Sequence, residues 1–312
     1  MGENLDSSSI RHYHLVMFGI SRNKNPLERA VARRRIKRVA RRLLGLLGLP
    51  IPFSVKIRLA RHSSKLAYLL LYYGDLILED YLGCYRFKVN ARSEIQRVLI
   101  SQSYEPDVLA VIHNWVREGD CCVDVGANVG AIAFAMAQRV GDNGKVHCFE
   151  PGPPYAERLR ENIKLNPRLR EIIEVHPLGL SDKEGELIWG EDLDLPGNAY
   201  LLGNKGTPVS VTTLDHFLMN NRGLKINFMK IDIEGMEWEM LSGSQETLKR
   251  HRPLILFETR LEFEIGRGIP VLKMTEDLLN SFDYDLYRID DTGGITKTQY
   301  PLFSPNTLAI PK

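Results

Sequence analysis

Short apolar runs recur from about residue 120 onward, and segments of helical length separate them. The runs that have the length and largely apolar character of buried strands are 121–125, 145–149, 172–176, 227–231 and 254–257. Helical segments at 131–137 and 155–165 follow the first two runs. Strands that alternate with helices in this way predict a parallel sheet with crossover helices, and therefore an α/β fold.

Two further patterns refine this architecture. The alternating runs 284–289 and 306–310 favour a final antiparallel hairpin. Residues 183–213 do not fit a simple crossover, because 185–189 and 208–212 alternate like strands around a turn-rich middle. We interpret 183–213 as an insertion at the sheet edge, where it is suited to act as a substrate lid.

The loop after the first strand carries candidate cofactor chemistry. Gly126-Ala127-Asn128-Val129-Gly130 joins the strand to a helix N-terminus, an arrangement that binds anionic or polar groups. A dinucleotide fold would require Gly-x-Gly-x-x-Gly, and the central glycine is absent here. Asp124 and the loop instead suit a zwitterion, because the carboxylate can face an ammonium while loop amides face a carboxylate. S-adenosylmethionine carries such a group.

Polar residues at the ends of the next two strands extend the candidate cofactor site. Glu150, followed by Pro151, stands twenty residues after Gly130, where a carboxylate can bridge two ribose hydroxyls. The loop after the third strand is expected at the same sheet edge, so Ser181 and Asp182 are candidates for adenine contacts. An ordinary turn is the alternative for these two residues.

Three acids after the fourth and fifth strands are the catalytic candidates. Asp232 and Glu234 follow the run 227–231, and Glu258 follows 254–257. A carboxylate within hydrogen-bond reach of an acceptor hydroxyl can take its proton. Alternatively, the carboxylates could hold a magnesium ion that lowers the pKa of the hydroxyl. We favour Asp232 in the catalytic role, and we assign no residue as a metal ligand.

Two other acids are interpreted mainly as structural. Glu105 precedes a predicted helix at 108–116, and we interpret it as a helix-start acid, with closure of the cofactor site as the alternative. Glu237 follows Asp232 by five residues, and a helix-start charge or a salt bridge is the preferred interpretation.

Four segments together resemble the FkbM-type methyltransferases, a class I S-adenosylmethionine-dependent family. They are Val123-Asp-Val-Gly-Ala-Asn-Val-Gly130, Phe149-Glu-Pro151, Thr212-Thr-Leu-Asp215 and Lys230-Ile-Asp-Ile-Glu-Gly-Met-Glu237. The resemblance covers about residues 95–260. It implies a doubly wound, seven-stranded, Rossmann-like sheet that ends in the antiparallel hairpin. It also implies S-adenosyl-L-methionine as the methyl donor.

The resemblance further implies an O-methyltransferase that acts on a hydroxyl of a sugar, a lipid-linked glycan or a natural product. Some members of the family place a histidine shortly after the fifth-strand acid, where this chain has Thr259-Arg260. Loss of the hydroxyl proton would therefore depend on Asp232 as the base, or on a metal that lowers the pKa of the hydroxyl. Two rivals remain, an RNA methyltransferase and a non-catalytic, cofactor-binding protein that docks on membranes. The RNA methyltransferase is less favoured because no Asn-Pro-Pro-Tyr-like motif follows the fourth strand. The non-catalytic protein is less favoured because Asp124, Glu150 and Asp232 are intact.

Charge divides the chain into a basic, largely helical extension at 1–73 and a catalytic domain at 74–312. Residues 1–50 hold eleven Lys or Arg against three acids, while the chain as a whole has a net charge of +2. The amphipathic segment 27–47 is suited to an anionic membrane surface. A charged face on a neighbouring subunit, as in a homodimer, is an equal alternative. Nucleic acid is less favoured, and no DNA partner is expected, since no aromatic residue is interleaved there.

The cellular location is inferred from cysteine usage and hydropathy. Three of the four cysteines lie in predicted core strands and none forms a CxxC pair, which favours a reducing compartment and argues against a metal cluster. The sequence contains no run of transmembrane length and no secretory signal pattern. We therefore expect a cytoplasmic protein that can associate peripherally with the inner face of the membrane.

Overall fold

The computed structural model describes residues 75–90, 93–100, 104–191, 199–200, 206–301, 303 and 305–312. These residues belong to one compact unit, Tyr73–Lys312. The predicted basic helix at 27–47 and the turn-rich middle of the insertion at 192–198 lie outside the described residues. Within the described ranges, no helix has both the length and the apolar character needed to cross a bilayer.

The described part of the chain contains fourteen strands, nine α-helices and one 3₁₀ helix, Pro167–Glu171. The strands are β1 (Asp75–Tyr81), β2 (Tyr85–Asn90), β3 (Cys121–Val125), β4 (Lys145–Phe149), β5 (Ile173–His176), β6 (Gly179–Leu180), β7 (Gly185–Glu191), β8 (Ala199–Tyr200), β9 (Thr207–Thr212), β10 (Phe228–Ile231), β11 (Leu254–Glu258), β12 (Tyr284–Ile289), β13 (Ile295–Lys297) and β14 (Asn306–Pro311). The helices are α1 (Glu94–Ile100), α2 (Pro106–Trp115), α3 (Ala131–Val140), α4 (Pro153–Lys164), α5 (Leu214–Asn220), α6 (Glu237–Ser242), α7 (Gln245–Arg250), α8 (Leu261–Arg267) and α9 (Val271–Ser281).

Eight strands form the central sheet in the order β13-β12-β14-β11-β10-β3-β4-β5. The five strands from β11 to β5 run parallel, and β14 pairs antiparallel with β11 and β12. This arrangement confirms the predicted doubly wound α/β sheet with a terminal antiparallel hairpin. The predicted count of seven strands was wrong by one, because β13 adds an exposed three-residue edge strand. Its sequence, Ile-Thr-Lys, is too short to show any period.

The parallel strands form because their side chains are buried on both faces of the sheet. All four residues of β10 are buried, as are the last four of β3, β4 and β11. Phe149, Met229 and Phe257 are among the residues that fill the core on these strands. Such continuous burial requires the near-continuous apolar runs seen in the sequence.

The insertion forms a second, smaller sheet. Its strands have the order β6-β9-β7-β8, with β7 and β9 paired antiparallel from Gly185↔Val211 to Trp189↔Thr207. The two strands predicted in this region are therefore present, at Gly185–Glu191 and Thr207–Thr212. Trp189 is buried, although it lies in this peripheral sheet.

The β1–β2 hairpin packs on the central domain near the start of α3. The Phe87 and Phe134 rings meet edge to face with centroids 5.0 Å apart. The Tyr81 hydroxyl donates to the carbonyl of Ala131, the first residue of α3, at 3.1 Å. The hairpin therefore supports the helix that follows the glycine loop.

Candidate active site

The register of the parallel sheet brings four strand ends to one level. Val125 pairs with both Phe149 and Ile231, and Ile231 pairs with Phe257. The residues that come next on these strands are therefore neighbours along one edge; they are Gly126, Glu150, Asp232 and Glu258. Ligands of open α/β sheets bind outside the carboxyl ends of the strands, so this edge is the candidate site.

Gly126 allows the first strand to end against the fourth. Its φ is 81°, and a Cβ at this position would lie 1.9 Å from the carbonyl oxygen of Asp232. Only a residue without a side chain fits such a contact. Gly130 ends the loop with φ 95°, and Asn128 has φ 50°.

The backbone amides of the glycine loop donate hydrogen bonds within the chain, whereas the sequence predicted that they face a ligand. Gly126 and Ala127 both donate to the carbonyl of Phe149, at 2.9 and 3.2 Å. The Asn128 amide donates to Glu150, and the Gly130 amide donates to Ala127. These amides are therefore already used within the chain, since the loop must satisfy its own donors where it packs between two strands. The expectation that they face a ligand carboxylate is not met in this structure.

Asp124 is the most unusual side chain at this edge. It is fully buried, and neither of its carboxylate oxygens has a hydrogen-bond partner among the described residues. Burial raises its pKa to about 6, although the charge of Lys230 opposes the shift. A cavity opens onto this carboxylate, and its lining residues include Leu99, Tyr104, Gly126 and Ile132. A buried, unpartnered carboxylate is expected to have a cationic ligand, because its burial is otherwise costly.

Glu150 joins the first loop to the second. Its Oε2 accepts from the amide of Asn128 and its Oε1 from the amide of Gly152, both at 2.8 Å. Burial raises its pKa to about 7, and the two amide hydrogen bonds oppose the shift. Each oxygen keeps a further lone pair that can accept from a ligand hydroxyl. Pro151, the next residue, is buried.

The insertion reaches this second loop through Trp189. A Cβ on Gly152 would lie 2.7 Å from the Trp189 indole, so the ring lies directly against the glycine. The indole also meets Tyr155 edge to face, with centroids 5.9 Å apart. Sequence reasoning missed Trp189 as a site residue; the signal was a tryptophan inside a turn-rich insertion.

Ser181 and Asp182, the adenine candidates, follow β6 in the smaller sheet. Ser181 is buried, and its hydroxyl donates to Asp182 at 3.2 Å. The Ser181 amide donates to Thr212, and a Cβ on Gly243 would lie 2.1 Å from the Ser181 carbonyl. Ser181 is thus held rigidly, while the side chain of Asp182 is exposed.

Lys230 places a buried positive charge among the acids. It is 2% exposed, and its Nζ donates to Asp232 Oδ2 at 2.7 Å. Burial pushes the pKa of Asp232 up, but the charge and hydrogen bond of Lys230 outweigh it and hold that pKa below its usual range. The same contact raises the pKa of Lys230 in spite of its burial. Sequence reasoning noted Lys230 without a role, and its signal was a charged residue inside an apolar strand.

Asp232, Glu234 and Glu258 form the acid cluster. One carboxylate oxygen from each lies within 4.8 Å of the others. Desolvation and the charge of Asp232 raise the pKa of Glu234 to about 7 and raise that of Glu258 well above its usual range. Glu258 Oε1 pairs with Arg260 at 2.5 Å, and its Oε2 has no partner in the described ranges. The cluster can hold a proton or a divalent cation.

The structure corrects the interpretation of Glu105. It stands at the N-cap of α2 with φ 42°, and within the described residues its side chain makes no capping hydrogen bond. Burial raises its pKa to about 7; the charge of Lys230 lowers this pKa, and the charge of Asp232 raises it. Glu105 therefore belongs electrostatically to the site edge. The helix-start interpretation failed because the left-handed backbone turns the residue away from the helix amides.

Glu237 has the structural role that was preferred for it. Its Oε1 accepts from the amides of Ile233 and Gly235, at 3.1 and 3.3 Å. These bonds hold the turn that presents Asp232 and Glu234.

Comparisons with known proteins converge on one family. The methyltransferase FkbM domain profile matches residues 124–286, just over half of the chain. A hexuronic acid methyltransferase of Haloferax volcanii is 29% identical over 168 residues, which cover 53% of this chain and 66% of the relative. A 2-O-methyltransferase of Sinorhizobium fredii is 26% identical over 215 residues, covering 63% and 81%. The chain thus spans slightly less than two thirds of the first relative's length.

A solved structure of methyltransferase FkbM from Methylobacillus flagellatus is also similar. Its TM-score is 0.42 at 16% identity, and the match covers 69% of this chain and 52% of that one.

Proposed function

The chain belongs to the FkbM family of S-adenosylmethionine-dependent methyltransferases, and we propose that it methylates a hydroxyl group of a sugar. Relatives named for hexuronic acid and for 2-O methylation support a sugar acceptor. A free glycan, a lipid-linked glycan and a glycosylated natural product all present such a hydroxyl. The observation that carries the proposal is the unpartnered Asp124 at the same edge as the Lys230–Asp232 pair.

The residues of the glycine-loop edge fit S-adenosyl-L-methionine, which when bound supplies a methyl group on a sulfonium. Asp124 offers its buried carboxylate to the ammonium, where an ion pair would offset the cost of burial. Glu150 offers its remaining acceptor capacity to the ribose hydroxyls. Ser181 and Asp182 remain our candidates for the adenine. Trp189 offers an apolar wall beside Gly152.

The acid cluster handles the proton of the acceptor hydroxyl. Asp232 stays ionised beside Lys230, so it accepts a hydrogen bond from the hydroxyl and orients it. The pKa of Glu234 is raised to about 7, which suits it better as the group that takes the proton. This assignment moves the role of base from Asp232, favoured from the sequence, to Glu234.

The two roles are separable by the pH profile of kcat, measured with both substrates saturating. In the wild-type enzyme, activity should fall below about pH 7 as Glu234 becomes protonated. Glu234→Gln should lower kcat about 100-fold and remove this acidic limb. Asp232→Asn should lower kcat and leave the limb in place. An unchanged limb in Glu234→Gln would return the base to another residue.

A magnesium ion on Asp232, Glu234 and Glu258 is the alternative way in which this cluster could act. Hard oxygen ligands at this spacing suit such an ion. Activity that is lost on chelation and returns with added magnesium would support the metal, and activity that is indifferent to chelators would leave proton transfer to the carboxylates alone.

The function itself is tested by labelled methyl transfer to a panel of sugars, uronic acids and oligosaccharides. Asp124→Asn should weaken S-adenosylhomocysteine binding at least 10-fold by calorimetry, because the amide cannot pair with the ammonium. Asp142→Asn, which alters an exposed acid paired with Arg168, is the matched control and should bind normally. Equal binding by Asp124→Asn and the control would refute the proposed cofactor site.

The basic segment 27–47, outside the described residues, bears on where the acceptor is met. We propose that it holds the enzyme on an anionic membrane surface, close to lipid-linked acceptors, on the cytoplasmic side. Sedimentation with anionic vesicles at low salt should recover the protein, and neutral vesicles should not. Replacing Arg33, Arg34 and Arg35 by glutamine should abolish sedimentation. If the wild type and the glutamine variant both sediment with neutral vesicles, an electrostatic role of the segment is excluded.

A further inference from the structure

A second group of metal-ligating side chains lies at the lateral edge of the central sheet, three strands away from β10, which leads into the acid cluster. It involves β4 and the edge strand β5, whose register pairs His147 with Glu174 and Phe149 with His176. Alternate residues of a strand share one face, so Glu174 and His176 project together. His147 meets them from the neighbouring strand. None of these residues belongs to the cofactor edge described above.

The ligand atoms of the three side chains converge. His147 Nδ1 lies 3.2 Å from His176 Nε2 and 3.5 Å from Glu174 Oε2. His176 Nε2 lies 3.9 Å from Glu174 Oε1. Tetrahedral zinc with bonds of about 2.0–2.1 Å holds its ligand atoms about 3.3 Å apart. The observed separations bracket this value without any rearrangement of the strands.

We propose that His147 Nδ1, His176 Nε2 and a Glu174 carboxylate oxygen bind a zinc ion. Two imidazoles and one carboxylate form a ligand set that zinc commonly takes, whereas magnesium prefers oxygen ligands alone. The Glu174 side chain is 62% exposed, while His147 is 5% exposed, so the site faces solvent on the side of the glutamate. Water can therefore complete the fourth position.

The surroundings favour ligands that are fixed in place. His147 is buried, and His176 is partly buried beside it. Aromatic rings hold the imidazoles: Phe149 and Phe217 each lie 4.8 Å from the His176 ring, centroid to centroid. A rigid apolar shell of this kind keeps ligand nitrogens in place.

The site has a direct route to the cofactor edge. The His176 carbonyl accepts from the amide of Glu150 at 3.1 Å. An ion that ties β5 to β4 would therefore fix the backbone from which the Glu150 carboxylate projects. Zinc would act here as a positioning element, outside the reacting groups.

The experiment measures zinc binding by the full-length chain after dialysis against a chelator. Calorimetry should find one zinc per chain in the wild type, and the affinity should be lowered at least 10-fold in Glu174→Gln and in His176→Gln. His216→Gln is the matched control, because His216 Nε2 lies 3.4 Å from Glu184 and, within the described ranges, belongs to no group of three metal-ligating side chains. It should bind zinc like the wild type.

Thermal melting provides the second readout. Zinc should raise the melting temperature of the wild type and of His216→Gln, and leave that of Glu174→Gln unchanged. Since Glu174 is exposed, this variant should fold normally in the absence of metal. The proposal is overturned if the folded wild-type protein binds no zinc. Zinc binding that survives in both Glu174→Gln and His176→Gln also overturns it.

Discussion

Lys230 affects the pKa of three carboxyl groups at the active-site edge. The Lys230 ammonium contacts Asp232 directly, and its charge also lowers the pKa of Asp124 and of Glu105. Three carboxyl groups thus depend on one buried cation. Removing a single partner from a buried charge group is more damaging than replacing the whole group, because the remaining charges lose their compensation.

We therefore expect Lys230→Met to be severely destabilising. The free energy of unfolding should fall by about 3–5 kcal/mol at pH 8. The loss should be smaller at pH 5.5, since Asp124 and Glu105 have pKa values of about 6 and 7 and are then protonated. Urea unfolding at both pH values measures this difference.

Lys145→Met serves as the control for this substitution, since Lys145 is an exposed lysine on β4. Its unfolding free energy should stay within about 0.5 kcal/mol of the wild type. Equal stability of the two variants at pH 8 would show that Lys230 does not compensate the buried acids.

At the scale of elements, the site depends on how closely β3 and β10 approach at their ends. Gly126 makes this approach, since any Cβ there would meet the Asp232 carbonyl at 1.9 Å. Gly119, just before β3, has nearly the same φ, 83° against 81°, with no described atom within 4 Å of a Cβ. Substitutions at these two positions therefore distinguish the unfolding free energy lost to backbone strain from that lost to the steric clash.

Gly119→Ala should cost about 1 kcal/mol of unfolding free energy, from the left-handed backbone alone. Gly126→Ala should cost about 2–4 kcal/mol, because the strand ends must also move apart. It should lose most methyl transfer as well, since Asp232 shifts with the strand. Chemical denaturation of both variants gives the comparison, and equal costs would mean that the strand ends separate freely.

The insertion contributes a second element-scale contact through Trp189. Because the indole covers Gly152, next to Glu150, Trp189→Ala should weaken cofactor binding. We expect KM for S-adenosylmethionine to rise about 10-fold with kcat changed less than 3-fold. Trp189→Phe keeps an aromatic wall and should recover most of the affinity. A fall in kcat alone would assign Trp189 to acceptor handling instead.

The strands of the parallel sheet were predicted from continuous apolar runs, and those of the insertion and the terminal hairpin from alternation. The strands β3, β4, β10 and β11 are buried on both faces, so their ends could be located within a residue or two. Asp124, Glu150, Asp232 and Glu258 lie at or next to these ends. A parallel sheet then placed the four carboxylates at one edge. The exposed strand β13 lacked any apolar period and could not be predicted.

Contacts between segments far apart in sequence escaped prediction for a different reason. Trp189 reaches Gly152 across the inserted sheet, and His147 meets His176 across a strand pair whose register no local pattern specifies. Glu105 was misassigned because its left-handed φ of 42° is not visible in the sequence. Sequence spacing predicts which residues end a strand, and it leaves open what comes to lie beside them.

At the scale of the whole molecule, acidic charge is gathered at one edge of the sheet. Asp124, Glu150, Glu234 and Glu105 all have pKa values raised to about 6 or 7. Each of these acids destabilises the fold when it ionises, because its folded pKa lies above its unfolded value. A fold that tolerates this cost is suited to a ligand that brings positive charge, such as a sulfonium and an ammonium.

This charge distribution makes the stability of the free protein fall with pH, and Glu150 isolates one contribution. Its pKa is about 7 in the fold, so its stabilising contribution is complete below about pH 4 and is lost as the pH rises through 7. Glu150→Gln does not titrate. From pH 5 to 7, the wild type should therefore lose about 1 kcal/mol per pH unit more than the variant. His176, whose pKa is lowered by burial, makes the unfolding free energy rise with pH in both proteins, so its contribution cancels in the comparison.

Urea unfolding at pH 5, 6 and 7 measures the difference between the wild type and Glu150→Gln. Glu171→Gln, which alters an exposed acid, is the control and should follow the wild type. Parallel curves for wild type and Glu150→Gln would show that Glu150 does not store this energy, and that its two amide hydrogen bonds fully compensate its burial.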